Sequence, residues 1–337
     1  AHTNAFKLNE DVVIPLDRLG EYSTGIERIN IEYSTRNKLA IVESVLEFIS
    51  GDLTELHQDG EFADSEENRA IVEAKQAAAR ELLQARHAFW SGLLERLDAP
   101  ADNYRDWLDA EVQAHIQAGD RILDLLLRRD LRISWRMEVE RPLKEIFSGH
   151  EWTRLLEKLD ALHAEKRTSR LFAATHMHAG DGNVHTNIPV NSSDYRMLHE
   201  ADQIVDRVMQ LATSLGGVIS GEHGIGLTKF RYLESETVAA FERYKQEVDP
   251  DDLFNRGKLQ TGAGLGNAYT PSLRLVQQEA LLLEASELGA LNDDIRNCLR
   301  CGKCKPVCNT HIPRANLLYS PRNKILASGL LIEAFLY

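Results

Sequence analysis

Three histidines lie on either side of a turn dipeptide in the middle of the chain. His176 and His178 precede Asp181-Gly182, and His185 follows it. Asp-Gly is typical of a two-residue hairpin turn, which would place His178 opposite His185 and His176 opposite Asn187. Opposed side chains on one face stand about 4.5–5.5 Å apart at Cβ. The pattern therefore predicts half of a metal site, and the alternative is a polar hairpin face exposed to water.

A glycine-rich loop supplies a second set of reactive side chains. Residues 221–226 read Gly-Glu-His-Gly-Ile-Gly and directly follow an apolar run. Glycines let the backbone turn sharply and let a ligand approach closely. A phosphate-binding loop is the competing interpretation, but the dinucleotide spacing and the Gly-Lys-Ser/Thr ending are both missing. Glu222 is then a candidate third metal ligand and His223 a candidate general base.

All four cysteines fall in one short run: Cys298, Cys301, Cys304 and Cys308. Spacings of two, two and three intervening residues are typical of iron–sulfur ligation. Cys308 either closes a single 4Fe-4S cluster or serves a second cluster whose partner run lies elsewhere. The main alternative is that the four cysteines bind zinc, and a further alternative is that they are merely buried. The cysteine usage leaves no disulfide framework elsewhere and favours a reducing, cytoplasmic setting.

Strand patterns surround the histidines. Residues 10–16 are β-branched and closed by Pro15, residues 170–176 are apolar, residues 184–190 alternate, and residues 218–220 are again apolar. Residues 191–194 are expected to cap a helix that ends at Gly216-Gly217. This order predicts an α+β fold, an antiparallel sheet with helices on one face.

The rest of the chain is predicted to be mainly helical. Apolar residues recur at helical spacing in four stretches, at 39–49, 66–97, 104–127 and 151–166. We therefore expect a large all-helical insertion without chemistry over 19–150. A flexible linker at 261–266 and a helix at 272–288 precede the cysteines. The predicted organisation is 1–18 with 151–262 as one domain, 263–290 as linker and helix, and 291–337 as a truncated iron–sulfur segment.

Composition excludes several classes of partner. The 337 residues carry a formal net charge of −13, which argues against nucleic acid and anionic membranes. No apolar run reaches the length of a membrane-spanning helix, and no secretory signal opens the chain. Because the sequence begins at Ala1, we expect a fragment of a longer protein.

Three motifs in order resemble one family. They are His178-Ala-Gly-Asp-Gly-Asn-Val-His185, the loop at 221–226, and Val248-Asp-Pro with Asn255 and Gly257-Lys258. Together they resemble the C-terminal half of FAD-linked oxidases, the flavin-dependent D-lactate, glycolate and D-2-hydroxyglutarate dehydrogenases. Residues 10–15 look like the opening strand of that domain, so the resemblance covers 1–18 and about 165–260. It implies a ferredoxin-like cap domain, and the cysteine run resembles the large bacterial forms fused to ferredoxin-like domains.

The resemblance also implies roles for individual residues. A divalent metal, zinc or manganese, would be held by His178, His185 and Glu222, with His223 as the base. Asn187 would line the substrate pocket. Lys229 and Lys7 are the candidates for binding a distal substrate carboxylate, and Asn255 with Lys258 would lie beside the flavin.

The expected activity is therefore oxidation of a small D-2-hydroxy acid by an enzyme whose flavin domain lies upstream in the same polypeptide. Hydride would pass to FAD, and electrons would pass through the 4Fe-4S cluster to a quinone or redox protein. That acceptor would place the cytoplasmic enzyme at the membrane periphery, and this chain alone should be catalytically silent. Two rivals remain open: a metal-dependent hydrolase using the same His/His/Glu site, and a non-catalytic electron-transfer or scaffold fragment.

Overall fold

A computed structural model describes residues 5–53, 66–191, 194–226 and 228–262, and isolated positions at 304, 307–309, 320, 321 and 323–325. The chain divides into two compact units. One contains Ala1–Tyr22 and Ala173–Tyr337, and the other contains Ser23–Phe172. The first unit carries the histidines and the glycine-rich loop.

The sheet of the first unit has three antiparallel strands: β1 at Ala5–Val13, β2 at Ala174–His178 and β3 at Asn183–Asn191. Their order is β1-β3-β2, so β3 is central. The predicted bounds of the first strand were wrong, because β1 starts earlier and ends before Pro15. Proline has no N–H to give to a ladder, and residues Leu16–Arg18 form a 3-10 turn instead.

The turn between β2 and β3 is longer than predicted. The amides of Asp181 and Gly182 both donate to the His178 carbonyl, each over 3.2 Å, so residues 179–182 form the turn. His176 is therefore paired with His185, and His178 with Asn183. The predicted opposition of His178 to His185, and of His176 to Asn187, was wrong in register. The slip is two residues, and because side chains alternate with a period of two, every histidine stays on its predicted face.

One face of the sheet is apolar and the other is polar. Helix α7 (defined here as Tyr195–Ser214) packs on β1 and β3, and Val12, Val184 and Ile188 are fully buried. The cap predicted within 191–194 is confirmed, since the Asp194 side chain accepts from the Met197 amide over 2.9 Å. The result is a mixed fold of helices and a small antiparallel sheet, as the α+β expectation requires.

Two further elements of this unit follow α7. The strand predicted at 218–220 is reduced to one bridge, between Val13 and Val218. Beyond that hydrogen-bonded pair the chain turns into the loop that Asp11 holds. The sequence from Val248 onwards indicated the end of a helix, and helix α8 at Ser235–Val248 ends there.

The second unit is helical. Its main helices are α1 at Leu19–Ile49 (which begins in the first unit), α2 at Glu66–Glu95, α3 at Ala110–Ala114, α4 at Ile122–Arg128, α5 at Arg141–Ile146 and α6 at Thr153–Thr168. The prediction of a single helix over 104–127 was wrong. The stretch is interrupted by a 3-10 segment at Ala101–Trp107 and by Gly119, which has a positive φ of 86°. Apolar side chains of α1, α2 and α6 form one core, and those around α4 form another.

No helix within the described residues is long and apolar enough to cross a bilayer. The predicted linker and helix at 263–290, with Cys298 and Cys301, lie outside the described residues. Cys304 and Cys308 are described and half-buried. The iron–sulfur assignment and the domain bounds stay predictions.

Candidate metal centre

The structure brings together the three residues expected to hold a metal. His178 ends β2, His185 lies on β3, and Glu222 follows Val218 in the glycine-rich loop. One ligand atom from each lies within 4.8 Å of the others. Nε2 of His178 is 3.3 Å from Oε1 of Glu222, and Nε2 of His185 is 3.7 Å from Oε2. Two imidazoles and a carboxylate therefore converge from three separate segments.

The corrected register explains how the two histidines meet. His178 lies diagonally across from His185, and their ring centroids are 5.5 Å apart in an edge-to-face arrangement. His176, directly opposite, stacks flat on the His185 ring at 4.7 Å. Stacking fixes the plane of His185, while the diagonal position leaves the Nε2 atoms of His178 and His185 facing the same carboxylate.

The donor set fits a divalent transition metal. Imidazole nitrogen and carboxylate oxygen are the ligands of zinc in catalytic sites, where three protein ligands leave a position for water or substrate. The side chain of His185 is 6% exposed, whereas His178 and Glu222 are 59% and 55% exposed. The cluster thus has a buried inner ligand and two outer ligands open to an incoming molecule.

Asn183 connects the hairpin to the loop. It is buried at the start of β3, and its Nδ2 donates to Oε1 of Glu222 over 2.8 Å. Its backbone amide donates to Oδ1 of Asp181 over 3.0 Å, so the turn holds Asn183 in place. Ligating carboxylates are commonly oriented in this way by an outer hydrogen bond.

Asp11 of β1 holds the loop by its backbone. Its Oδ2 accepts the amides of Gly221 at 2.8 Å and His223 at 3.1 Å, and the amide of Glu222 between them. Burial acts to raise the pKa of Asp11, but hydrogen bonds from Lys229 and from these amides outweigh it and hold the pKa well below its usual range. A fully buried carboxylate therefore stays ionised beside the site.

Lys229 is the counter-ion of Asp11. Its Nζ donates to the Asp11 carbonyl over 2.8 Å and to the Asp11 carboxylate, and it lies 3.4 Å from Oε2 of Glu10. Burial raises the pKa of Glu10 although Lys229 acts against that shift. Only 2% of the Lys229 side chain is exposed. The structure thus places Lys229 in a buried ion pair instead of at an open substrate-binding surface.

His223 stands next to the cluster. Its Nδ1 is 3.6 Å from Oδ1 of Asp11, and its ring centroid is 5.1 Å from that of His185. About a third of its side chain is exposed. An imidazole so placed has one nitrogen facing an internal carboxylate and is still accessible, as a general base requires.

The remaining predicted residues are placed less directly. Nδ2 of Asn187 lies 3.1 Å from Nδ1 of His176, on the same face of the sheet as the ligands. Asn255 and Lys258 lie on an exposed turn after α8, where the Lys258 amide donates to the Asn255 carbonyl over 3.0 Å. Within the described part of the chain, no hydrogen bond or ion pair joins that turn to the histidine cluster. The side chain of Lys7 lies outside what is described.

Sequence reasoning missed Asp11 and Asn183 as parts of the site. Asp11 was visible only as an acid within a β-branched strand, a position where a charge needs a buried partner. Asn183 lay inside the predicted turn motif, but the two-residue turn gave it no role. In both cases the missing information was which distant segment lies across the strand.

Comparison with known proteins agrees with the resemblance. Residues 148–259 match the family model described as FAD linked oxidases, C-terminal domain. That segment contains the hairpin, α7, the glycine-rich loop and α8. No solved structure gives a significant match.

Several named relatives align with a stretch of about 90 to 110 residues of this chain. The mitochondrial D-lactate dehydrogenase [cytochrome] of Arabidopsis thaliana is 36% identical over 109 residues, covering 31% of this chain and 19% of the relative. Glycolate oxidase subunit GlcD of Escherichia coli K12 is 36% identical over 92 residues, covering 26% and 18%. D-2-hydroxyglutarate dehydrogenase of Xanthomonas citri pv. viticola is 40% identical over 88 residues, covering 24% and 19%.

The chain thus spans about a fifth of the length of these relatives. All of them are oxidoreductases by name. The segment carrying this centre is similar to the C-terminal domain of FAD linked oxidases.

Proposed function

We propose that this chain is the substrate-binding half of a flavin-dependent dehydrogenase that oxidises a small 2-hydroxy acid. The observation that carries the proposal is the convergence of His178, His185 and Glu222 beside His223. Relatives named for D-lactate, glycolate and D-2-hydroxyglutarate support this substrate class.

His178, His185 and Glu222 would hold one divalent metal, zinc or manganese. When bound, such an ion lowers the pKa of a coordinated hydroxyl and fixes the substrate carboxylate beside it. The three ligands differ in their burial, and this difference defines the open side of the site. His185 is buried and held flat by His176, so it sets the depth of the site, while exposed His178 and Glu222 leave the outer side open.

His223 would take the proton of the substrate hydroxyl. A neutral imidazole can accept it at Nε2 while Nδ1 faces the Asp11 carboxylate, which stabilises the charge gained. Asn187 lies on the same face and would contact the substrate beyond the metal. Removal of the hydroxyl proton is the part of the oxidation that belongs to this chain.

The redox steps would be carried out by two cofactors, a flavin and an iron–sulfur cluster. An oxidised flavin, when bound, accepts the hydride that leaves the substrate carbon, which yields a 2-oxo acid. The flavin domain would lie upstream in the same polypeptide, and the cap would have a ferredoxin-like arrangement. The cysteine run from Cys298 to Cys308 is proposed to hold a 4Fe-4S cluster that relays electrons to a quinone or redox protein.

Metal analysis of the purified chain tests the proposal. After dialysis against buffered zinc and removal of excess metal, elemental analysis should find one metal ion per chain at the histidine cluster. The His178→Ala/His185→Ala double variant should lose that ion, because it removes both imidazole ligands. His115→Ala, an exposed histidine in the helical unit, is the matched control and should retain it. Because the cysteine run is itself a candidate zinc site, the comparison is between variants: a double variant that holds as much metal per chain as the wild type would overturn the assignment.

The substrate class is tested with cobalt in place of zinc. D-lactate, glycolate and D-2-hydroxyglutarate should each change the visible absorption of Co²⁺ held by the chain, because their hydroxyl and carboxylate would replace solvent on the ion. Acetate at equal concentration is the control for a simple carboxylate. Hydrolysis of esters or amides by the zinc-loaded chain, with no response to hydroxy acids, would instead support a hydrolase.

A further inference from the structure

We propose that Asp11 is the positioning residue of this centre, and that Lys229 serves it as a buried counter-ion. One carboxylate would fix both the ligand Glu222 and the base His223. The inference rests on the proposed function, because it assigns those roles to Glu222 and His223. Asp11 lies outside the segment that matches the family model.

The first support is the set of three consecutive amides on one oxygen. Oδ2 of Asp11 accepts from Gly221, Glu222 and His223. Successive backbone N–H groups that converge in this way form a concave anion-binding site, here filled by an internal carboxylate. Hydrogen bonds from backbone N–H groups to an ionised carboxylate are stronger than those between neutral groups. These three bonds therefore favour a single backbone conformation of the loop.

The second support is Oδ1, the other carboxylate oxygen of Asp11, which faces the ring of His223. Oδ1 of Asp11 accepts from Lys229, is 3.3 Å from Oγ of Ser220, and is 3.6 Å from Nδ1 of His223. The charge at that distance favours the tautomer with its proton on Nδ1. Nε2 of His223 is then the acceptor, which is what a base needs.

The third support is the pairing of strands. Asp11 is paired with His185 across β1 and β3. The residue that holds the loop is therefore also the ladder neighbour of the buried ligand. The positions of His185, Glu222 and His223 are all set relative to one backbone position, which explains how ligands from distant parts of the chain reach a common geometry.

The fourth support is burial. Asp11 is fully buried and Lys229 is 2% exposed. A lone charge in such a place is strongly disfavoured, whereas a hydrogen-bonded pair is tolerated. Asp11 is close to the substrate side only through His223, so its role is positioning and not direct contact with a reacting atom.

The test is Asp11→Asn in this chain, with Asp17→Asn as control, because Asp17 is exposed just after the same strand. The asparagine oxygen can still accept amides, but its NH₂ group would face Lys229 and His223. We expect zinc affinity, measured by competition with a coloured chelator, to fall about 10–100-fold, the usual effect of losing an outer partner of a ligand. Amide hydrogen exchange should rise at 221–223 and stay unchanged in α7.

A second readout separates positioning from simple loss of stability. Nitrogen NMR of the His223 ring should show the proton on Nδ1 in the wild-type chain and on Nε2 in Asp11→Asn, because the new NH₂ group donates to Nδ1. If Asp11→Asn does not fold, Asp11→Asn/Lys229→Met removes both buried charges and is measured in the same way. An unchanged tautomer with unchanged exchange at 221–223 would overturn the proposal.

The two proposals fail separately. If the wild-type chain binds no metal, the proposed function fails. Amide hydrogen exchange at 221–223 and the His223 tautomer, both measured in metal-free protein, still test the role of Asp11. If metal binds and needs His178 and His185, yet Asp11→Asn leaves zinc affinity, tautomer and exchange as they were, only the role of Asp11 is lost.

Discussion

Nδ2 of Asn183 donates to Oε1 of Glu222 over 2.8 Å, and this bond joins the two motifs that make the centre. Asn183 is the first residue of β3, and Glu222 lies in the loop after Val218. Asp11 holds the backbone of that loop, so Asn183 is left to orient the carboxylate itself. The ligand is thus fixed at both ends by residues that are not ligands.

Asn183→Asp should weaken metal binding by about 10–100-fold. The substitution keeps the size of the side chain but replaces the NH₂ donor with a second carboxylate oxygen, which repels Glu222 at 2.8 Å. Zinc competition measures the change. Asn103→Asp, at an exposed position of the helical unit, controls for the added charge. Equal affinity of the Asn183 variant and wild type would show that Glu222 needs no such support.

Local sequence was sufficient for the hairpin but not for its register. Alternation and the Asp-Gly turn predicted two strands with the histidines on one face, and that face is correct. The turn length was wrong because Gly182 must pass close to Ile14: its carbonyl accepts the Ile14 amide over 2.9 Å. A contact with a residue so far away in sequence leaves no trace in the turn motif itself.

The ion pair at Lys229 shows the same limit. The family resemblance made Lys229 a candidate for binding a substrate carboxylate, and nothing in the sequence brings Asp11 beside it. β1 pairs with β3 along its whole length, and this pairing places Asp11 next to the glycine-rich loop. The residue types of a site can be predicted from motifs, whereas partners supplied by an edge strand require the tertiary fold.

Gly182→Ala should lower the free energy of unfolding by at least about 1–3 kcal/mol, the cost of a strained backbone position. Gly182 has a φ of 78°, and a Cβ there would lie 2.1 Å from the Ile14 carbonyl oxygen. Gly180→Ala is the matched control in the same turn, since a Cβ there meets nothing within 4 Å. Urea unfolding of both variants measures the difference. Similar losses for the two variants would contradict the close approach at Ile14.

His176→Phe should keep one metal ion per chain. The ring of His176 stacks on His185, and phenylalanine can retain that stacking. His176 is absent from the group of side chains that could hold an ion in the described structure. Elemental analysis and zinc competition should therefore show full occupancy and less than about a tenfold change in affinity, below the usual effect of losing an outer partner. Loss of the ion would make His176 a ligand and require a different coordination set.

Lys229→Met should destabilise the chain by about 3–5 kcal/mol, because it leaves the buried Asp11 carboxylate without its cation. Lys258→Met is the control for loss of a lysine at an exposed position. Urea unfolding at neutral pH compares the two variants. If Lys229 were instead a solvent-facing substrate contact, both substitutions would leave stability nearly unchanged.

Tyr22 should make the chain less stable in alkaline solution. Its side chain is fully buried, and its hydroxyl lies 3.2 Å from Oγ1 of Thr186. Burial raises the pKa of Tyr22 to about 12, although the bond to Thr186 acts in the opposite direction. The folded state therefore keeps the phenol proton at a pH where the unfolded state, with an ordinary pKa of about 10, has lost it. The contribution of Tyr22 to the free energy of unfolding is complete below about pH 10. It falls by about 1.4 kcal/mol per pH unit as the pH rises towards 12.

Urea midpoints measured between pH 8 and pH 11.5 test this expectation. Tyr22→Phe should flatten the alkaline fall, because phenylalanine has no proton to lose. Tyr244→Phe, at an exposed tyrosine on α8, is the matched control and should fall as the wild type does. A wild-type profile that matches Tyr22→Phe over this range would show that Tyr22 ionises without cost in the folded chain, which is incompatible with its burial against Thr186.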